Sequence, residues 1–399
     1  MKTNAHENKH LNLESPILII GTGLAGWSTA REFRKLNSTK QIVMLTAERG
    51  DFYAKPAISN AFAQKKEAHQ LITIPGQKIA STVGVKLVQN TVVKRINTTT
   101  QQVETSEGRF EYSKLVLATG ARAIKLQMNG DAVDEVISVN SLDDYATFRE
   151  KLFNGARVLI VGAGLIGCEF ANDLAGEGFE VHVVDPNSGP LISLLPQAVS
   201  RQLETALWSI GVKWHMCTFV QSVNYDSKKG MNVTFANGES RCVDVILSAV
   251  GLRANTKIAQ EGGALCDRGI VVDATLQTSI TNIYALGDNT QYASETLGGS
   301  ASRTMPYVMP IMNAAKALAQ TLNGTLTKVV FPVMPVAIKT SILPIVIAPP
   351  SPGTQGSWSE VQEGIWNYVD SEHKILGFLL VGSKVSQRSE QMKRMVPMT

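Results

Sequence analysis

The chain has 399 residues, a formal net charge of +4, 44% hydrophobic and 18% charged residues. That length holds two or three domains, and the composition is that of an ordinary globular chain, which argues against a disordered or fibrous one. No apolar run reaches the roughly 18 residues needed to span a bilayer, and neither a Walker loop nor a basic, aromatic-laced face for nucleic acid is present.

In chain order, Pro16 to Ile20 reads as a buried strand, Leu24 to Lys35 as a helix and Gln41 to Thr46 as the second strand of a βαβ unit. Phe52 to Ala63 (FYAKPAISNAF) breaks the pattern as a turn into a short helix. Leu71 to Pro75 and Val85 to Ile96 read as extended, Asn90 to Tyr112 as a hairpin, and YSKLVLATGAR as a strand ending in Thr119-Gly120. Arg122 to Val139 is a connecting segment, after which a second α/β unit starts at Ala156 with its second strand at Glu180 to Asp185. Pro196 to Ile210 and Met309 to Leu322 fit helices, the latter with Pro310 in its first turn, where the missing N–H costs nothing. Val233 to Phe235, Val243 to Val250, Ile270 to Asp273 and Ile283 to Leu286 fit strands. From about Thr325 the chain becomes rich in Val, Ile and Pro, then alternates around Trp366 to Val369 and Ile375 to Val381, as a small antiparallel domain with a closing helix would.

Two segments, ILIIGTGLAG (Ile17 to Gly26) and VLIVGAGLIG (Val158 to Gly167), place an apolar run before G-x-G-x-x-G and a helical pattern after it. In that context the motif reads as a dinucleotide turn. The first glycine makes the tight turn, the second admits the pyrophosphate and the third lets helix and strand pack closely. The pyrophosphate rests on the bare N–H groups of the helix start. Gly21, Gly23 and Gly26 form the first turn; Gly162, Gly164 and Gly167 form the second. Two turns imply two dinucleotides.

At the end of the first unit's second strand an acidic residue would hold a ribose. Thr46 occupies that position and Glu48 lies just beyond, so either reaches the sugar. In the second unit Asp185 stands there, which favours a free 2′-hydroxyl and hence NADH over NADPH; alternatively it opens an Asp-Pro turn. Glu169, read as lying in the first turn of its helix, either complements the dipole or lies near an arriving nicotinamide. Lys55 and Lys339 are single cations in apolar settings, either solvated or placed to offset negative charge on a reduced cofactor. Asp288, after TNIYALG, either holds sugar-like hydroxyls or caps a turn.

Cys168, Cys217, Cys242 and Cys266 form no C-x-x-C or C-x-x-x-x-C pair, which argues against a disulfide framework or zinc site. The polar opening MKTNAHENKHLNLES is not a secretory signal, and scattered reduced thiols suit the cytoplasm. His6, His10, His69, His182, His215 and His373 lack ligand spacing and read as structural, so no metal is expected.

The order GTGLAG, FYAKPAIS, LVLATGAR, VGAGLIGCEFA, VILSAVGLRANT, TNIYALGD resembles the two-dinucleotide flavoproteins of the glutathione reductase type over roughly residues 16 to 325. The GDFYAKP turn, the PVAIKTSILP strand and the short C-terminal domain are most similar to the rubredoxin–NAD(+) reductases of alkane-oxidising bacteria. The resemblance implies an α/β fold: two Rossmann-like dinucleotide-binding domains, for FAD and NAD, plus a small C-terminal α+β domain. FAD would be held by residues 1–123 and 245–324, NADH by 124–244, and the C-terminal domain would be 325–399. By the same resemblance, Ala25 joins the first turn, Ile166 the second, and Lys55 and Glu169 act in catalysis. Pro56, Ala118, Thr119, Gly120, Arg122, Gly251, Gly287, Asp288 and Lys339 would lie at the cofactors, with Arg122 and Lys339 as candidate docking groups. Two departures stand out. The region Asp51 to Ala63 lacks the C-x-x-x-x-C pair of disulfide reductases, and the second nucleotide domain lacks a C-x-x-C pair, with Cys168 isolated, so electrons must leave the flavin directly. Ala254 stands where relatives often carry proline, a tolerable change at a turn. The implied acceptor is rubredoxin, serving an alkane hydroxylase; the other acceptor considered is a ferredoxin of an oxygenase system, and the non-catalytic alternative is an NADH-binding flavoprotein sensor.

Overall fold

The computed structural model describes residues 15–227, 230–297 and 301–395. Residues 1–14, with His6 and His10, lie outside the described residues. Two compact units are each assembled from three stretches of chain: Met1–Tyr53, Ile74–Ala121 and Ala254–Phe331 in the first, and Ala54–Thr73, Arg122–Arg253 and Pro332–Thr399 in the second.

The first unit is built on a five-stranded parallel sheet in the order Ile283–Ala285, Lys114–Leu117, Ile17–Ile20, Ile42–Leu45, Lys86–Val88. Its three central strands are almost wholly buried, which is why they read as continuous apolar runs. Helix Leu24–Leu36 packs against helix Val308–Leu322, whose buried alanines (Ala314, Ala315, Ala317, Ala319) allow close approach. The stretch expected as a hairpin is a three-stranded antiparallel sheet, Val93–Asn97, Gln102–Thr105 and Gly108–Glu111. A helix at Gly76–Val83, closed by left-handed Gly84, is not apparent from its polar sequence GQKIASTV.

The second unit repeats the design in the order Val136–Ile137, Val245–Ser248, Arg157–Val161, Glu180–Asp185, Lys213–Met216, again all parallel. A three-stranded antiparallel sheet (Val220–Tyr225, Met231–Phe235, Ser240–Val243) packs Val223, Val233 and Phe235 onto Leu159 and Val161. The connecting segment is followed by a helix at Leu142–Glu150, which Ser141 caps by accepting from the Asp144 N–H. The C-terminal part is a five-stranded antiparallel sheet in the order Val336–Ile338, Ile345–Ala348, Ile375–Val381, Ile365–Val369, Ser357–Gln362, closed by helix Arg388–Arg394. Its core is Val346, Ala348, Ile365, Phe378, Leu380 and Met395.

Candidate functional site

The two glycine turns have the same geometry. Gly21 has φ +108° and Gly162 φ +109°, backbone that only glycine adopts freely, and a Cβ on either would run into the next strand end at Ala118 or Ala249. A Cβ on Gly26 or Gly167 would overlap the carbonyl of Gly21 or Gly162, so the third glycine is dictated by packing alone. The middle glycines differ: a Cβ on Gly23 or Gly164 would meet nothing within 4 Å. Each is the N-cap of its helix with no side-chain cap, and neither helix has an acid in its first turn. An open approach to uncapped N–H groups at a positive dipole end suits a pyrophosphate, and the residues present fit two dinucleotides.

Around the first turn, Thr46 is buried and its hydroxyl accepts from Thr22 Oγ1 at 2.9 Å and from the Glu48 N–H at 3.2 Å, which commits it to the turn. Glu48 is exposed at the same strand end. Gly287 has φ +95° and packs on Ala25; Asp288 beside it is half-buried. Asn289, which sequence reasoning missed, is fully buried and donates to Leu117 O and Thr119 Oγ1, locking the Ala118-Thr119-Gly120 strand end. Asn255 does the same through Thr119 O.

Around the second turn, Asp185 is 8% exposed. Its carboxylate accepts from the Ala163 N–H at 2.7 Å and from both the backbone and the amide of Asn187 at 2.8 Å. It therefore ties the glycine turn to its own strand end. Ile166 in the first helical turn is 43% exposed, and Gly251 and Arg122 are exposed.

The helix Leu165–Gly176 carries three buried polar side chains on one face, at spacings of three and four residues: Glu169, Asn172 and Asp173. Glu169 lies in the second turn, not the first, so the helix dipole is not what explains it. Its carboxylate is 0% exposed and is satisfied by the Lys339 ammonium at 2.6 Å, the Lys339 N–H at 3.0 Å and the Ser59 hydroxyl at 2.5 Å. The ammonium also donates to Ser59 Oγ at 2.8 Å, Asn60 Oδ1 at 3.0 Å and the Pro56 carbonyl. Lys339 is thus neither isolated nor free to dock a partner, because its donors are already engaged. Lys55 opens the 3-10 turn Lys55–Asn60 that supplies these acceptors and is half-buried; Pro56 is exposed. Asp173 accepts from the Phe62 and Ala63 N–H groups at 2.9 and 3.1 Å, and burial pushes its carboxyl up to about 6. Ser59, Asn60, Asn172 and Asp173 escaped sequence reading. The signal was EFAND, three hydrogen-bonding side chains inside an otherwise apolar helix.

A family model described as pyridine nucleotide-disulphide oxidoreductase matches residues 15–320. The chain belongs to that family. As a pyridine nucleotide-disulphide oxidoreductase it lacks a paired dithiol: its four cysteines form no disulfide, and burial pushes the Cys168 thiol well above its ordinary range. A second model, described as the rubredoxin binding C-terminal domain, matches residues 328–395. Among relatives, the rubredoxin-NAD(+) reductase of Alcanivorax borkumensis is 40% identical, covering 95% of this chain and 98% of its own. A nitric oxide reductase FlRd-NAD(+) reductase of Aliivibrio fischeri is 36% identical, covering 93% and 96%. The covalent putidaredoxin reductase–putidaredoxin complex shares the fold, with TM-score 0.85, 23% identity and coverage of 95% and 93%. Among the described residues, no group of His, Cys, Asp and Glu could hold a metal, and no helix is long and apolar enough to cross a membrane.

Proposed function

We propose that this chain is an FAD-dependent oxidoreductase that passes electrons from NADH to rubredoxin, supplying an alkane hydroxylase system. The match of residues 328–395 to a rubredoxin-binding domain carries the choice of acceptor. The absence of a disulfide or a closely spaced pair among the four cysteines supports direct transfer without a dithiol relay. Cysteines without a disulfide also suit the cytoplasm, where we place the protein.

We assign FAD to residues 1–123 and 245–324, NADH to 124–244 and the acceptor surface to 325–399. When bound, FAD supplies the chemistry that takes a hydride from NADH and gives up electrons singly. The protein's part is holding and charge. The N–H groups following Gly23 receive the FAD pyrophosphate, Glu48 the adenosine ribose and Asp288 the remaining hydroxyls. Ala25, Ala118, Thr119, Gly120 and Gly287 shape that cleft. The N–H groups following Gly164 receive the NADH pyrophosphate beside Ile166, and Asp185 repels a 2′-phosphate. Lys55 and the start of helix Val308–Leu322 provide positive charge for a reduced cofactor, while Lys339 neutralises Glu169 beside the nucleotide. Glu169 faces the nicotinamide. Pro56, Arg122 and Gly251 line the approach.

The test is a visible spectrum of the purified protein, an anaerobic NADH titration, and addition of rubredoxin or a [2Fe–2S] ferredoxin. A yellow protein bleached by NADH and reoxidised fast by rubredoxin is expected. A colourless protein that stays so after FAD is added, or fast turnover with ferredoxin and none with rubredoxin, would overturn the reading.

A further inference from the structure

Glu169 and Lys339 are 170 residues apart, and what brings them together is a turn. Lys339 follows the strand Val336–Ile338, and residues 339–344 connect it to the antiparallel strand Ile345–Ala348. This connection is anchored to the nucleotide helix at two points, one helical turn apart. Glu169 Oε1 accepts the Lys339 N–H. Three residues on, Asn172 Oδ1 accepts the Ile342 N–H at 3.1 Å and Asn172 Nδ2 donates to Ser341 Oγ at 3.0 Å. Asn172 is 4% exposed, and its side-chain hydrogen bonds go to Ser341 and Ile342 of the turn. It acts on where the turn sits.

We propose that Asn172 is a positioning residue: by seating the 339–342 turn on the nucleotide helix, it keeps the Lys339 ammonium on Glu169 and so sets how the site discriminates NAD+ from NADH. The physics is charge compensation. NAD+ carries a positive nicotinamide ring and NADH a neutral one, so a bare carboxylate nearby favours the oxidised form. With the ammonium seated at 2.6 Å the pair is neutral and this preference is suppressed. A loosened turn lifts the ammonium for part of the time and unmasks Glu169, and product then binds tighter relative to substrate. The inference rests on the proposed function in one respect, that the nicotinamide arrives at Glu169.

The experiment measures, on the FAD-loaded protein, the affinities of NAD+ and of tetrahydro-NADH, a neutral-ring analogue that cannot donate hydride. The ratio of the two is compared in Asn172→Leu, Lys339→Met and the double variant. Asn172→Leu is expected to shift the ratio at least threefold toward NAD+, and Lys339→Met at least as far. The double variant should match Lys339→Met alone, since a residue acting through Lys339 has nothing further to change. Ser341→Ala, which removes one anchor and keeps the Ile342 bond, should shift the ratio in the same direction by less, and it decides the matter if Asn172→Leu does not fold. Shifts that add in the double variant, or an unmoved ratio in both Asn172→Leu and Ser341→Ala, overturn the proposal while leaving the proposed function standing. If neither nucleotide binds, the proposed function falls and the inference with it.

Discussion

The middle glycine of each dinucleotide turn is the residue at which folding and binding separate. Gly23→Ala and Gly164→Ala place a methyl group in open space, so the protein without dinucleotide should lose no more than about 1 kcal/mol, the usual range for an N-cap change to alanine. Dinucleotide affinity should fall sharply, because under the proposed function the pyrophosphate approaches through that space. Gly26→Ala and Gly167→Ala should instead cost about 2–3 kcal/mol through overlap with the backbone. Denaturant titration in the absence of dinucleotide, beside FAD and NAD+ binding, checks both pairs. At the ion pair, Lys339→Met strands a fully buried carboxylate and should cost about 3 kcal/mol. Glu169→Gln should cost less, since an amide oxygen still accepts from the Lys339 N–H, and equal losses would contradict this. At Asp185, replacement by alanine together with Pro186→Arg should reduce the NADH preference at least tenfold, read as the ratio of kcat/KM for NADH and NADPH. An unchanged ratio would leave Asp185 with only its role in the turn.

Among the elements, the paired strands Glu180–Asp185 and Lys213–Met216 carry a histidine couple, His182 buried and His215 half-buried, that the sequence reading left as two scattered residues. His182 Nδ1 and His215 Nε2 are 2.9 Å apart, with nearly parallel rings and Phe235 packed on His215. Glu180 and Lys213 flank His182, while Glu239 and Arg241 flank His215. An N···N hydrogen bond needs one acceptor, so the couple cannot hold a proton on every nitrogen. Burial first, then the neighbouring His182 and Arg241, push His215 down to about 4 from its ordinary 6.5. Between those values the unfolded chain binds more protons than the folded one, so stability falls as pH drops through that window. Asp173, raised by burial, acts in the opposite sense. His215→Phe should therefore shrink the loss of thermal midpoint between pH 7 and pH 4.5, with little change at pH 8. An acid limb as steep as wild type would count against the couple.

For the whole molecule, each compact unit contains one glycine turn and one five-stranded parallel sheet. Each dinucleotide should then stabilise mainly its own unit. A ligand that binds only the folded state adds about 2.7 kcal/mol at one hundred times its Kd. Hydrogen exchange should show FAD protecting Ile17–Ile20 and NAD+ protecting Arg157–Val161. Protection of the same strands by both ligands would refute the assignment of one dinucleotide to each unit.

The amino-acid order alone determined the parts whose cause is local. The two apolar strands, the turns that only glycine can make and the helices behind them are short-range consequences of sterics and burial, and they were legible together with the absence of a cysteine pair. What only the tertiary structure decided depends on residues distant in the chain. Sequence left Thr46 and Glu48 as equals; the contact from Thr22 commits Thr46 to the turn and leaves Glu48 exposed. Sequence read Lys339 as a lone cation; Glu169, Ser59 and Asn60 converge on it from two other stretches of chain. No periodicity encodes such a meeting. A carboxylate inside an apolar helix announces that a partner exists, because a buried charge must be compensated, but folding alone selects which one.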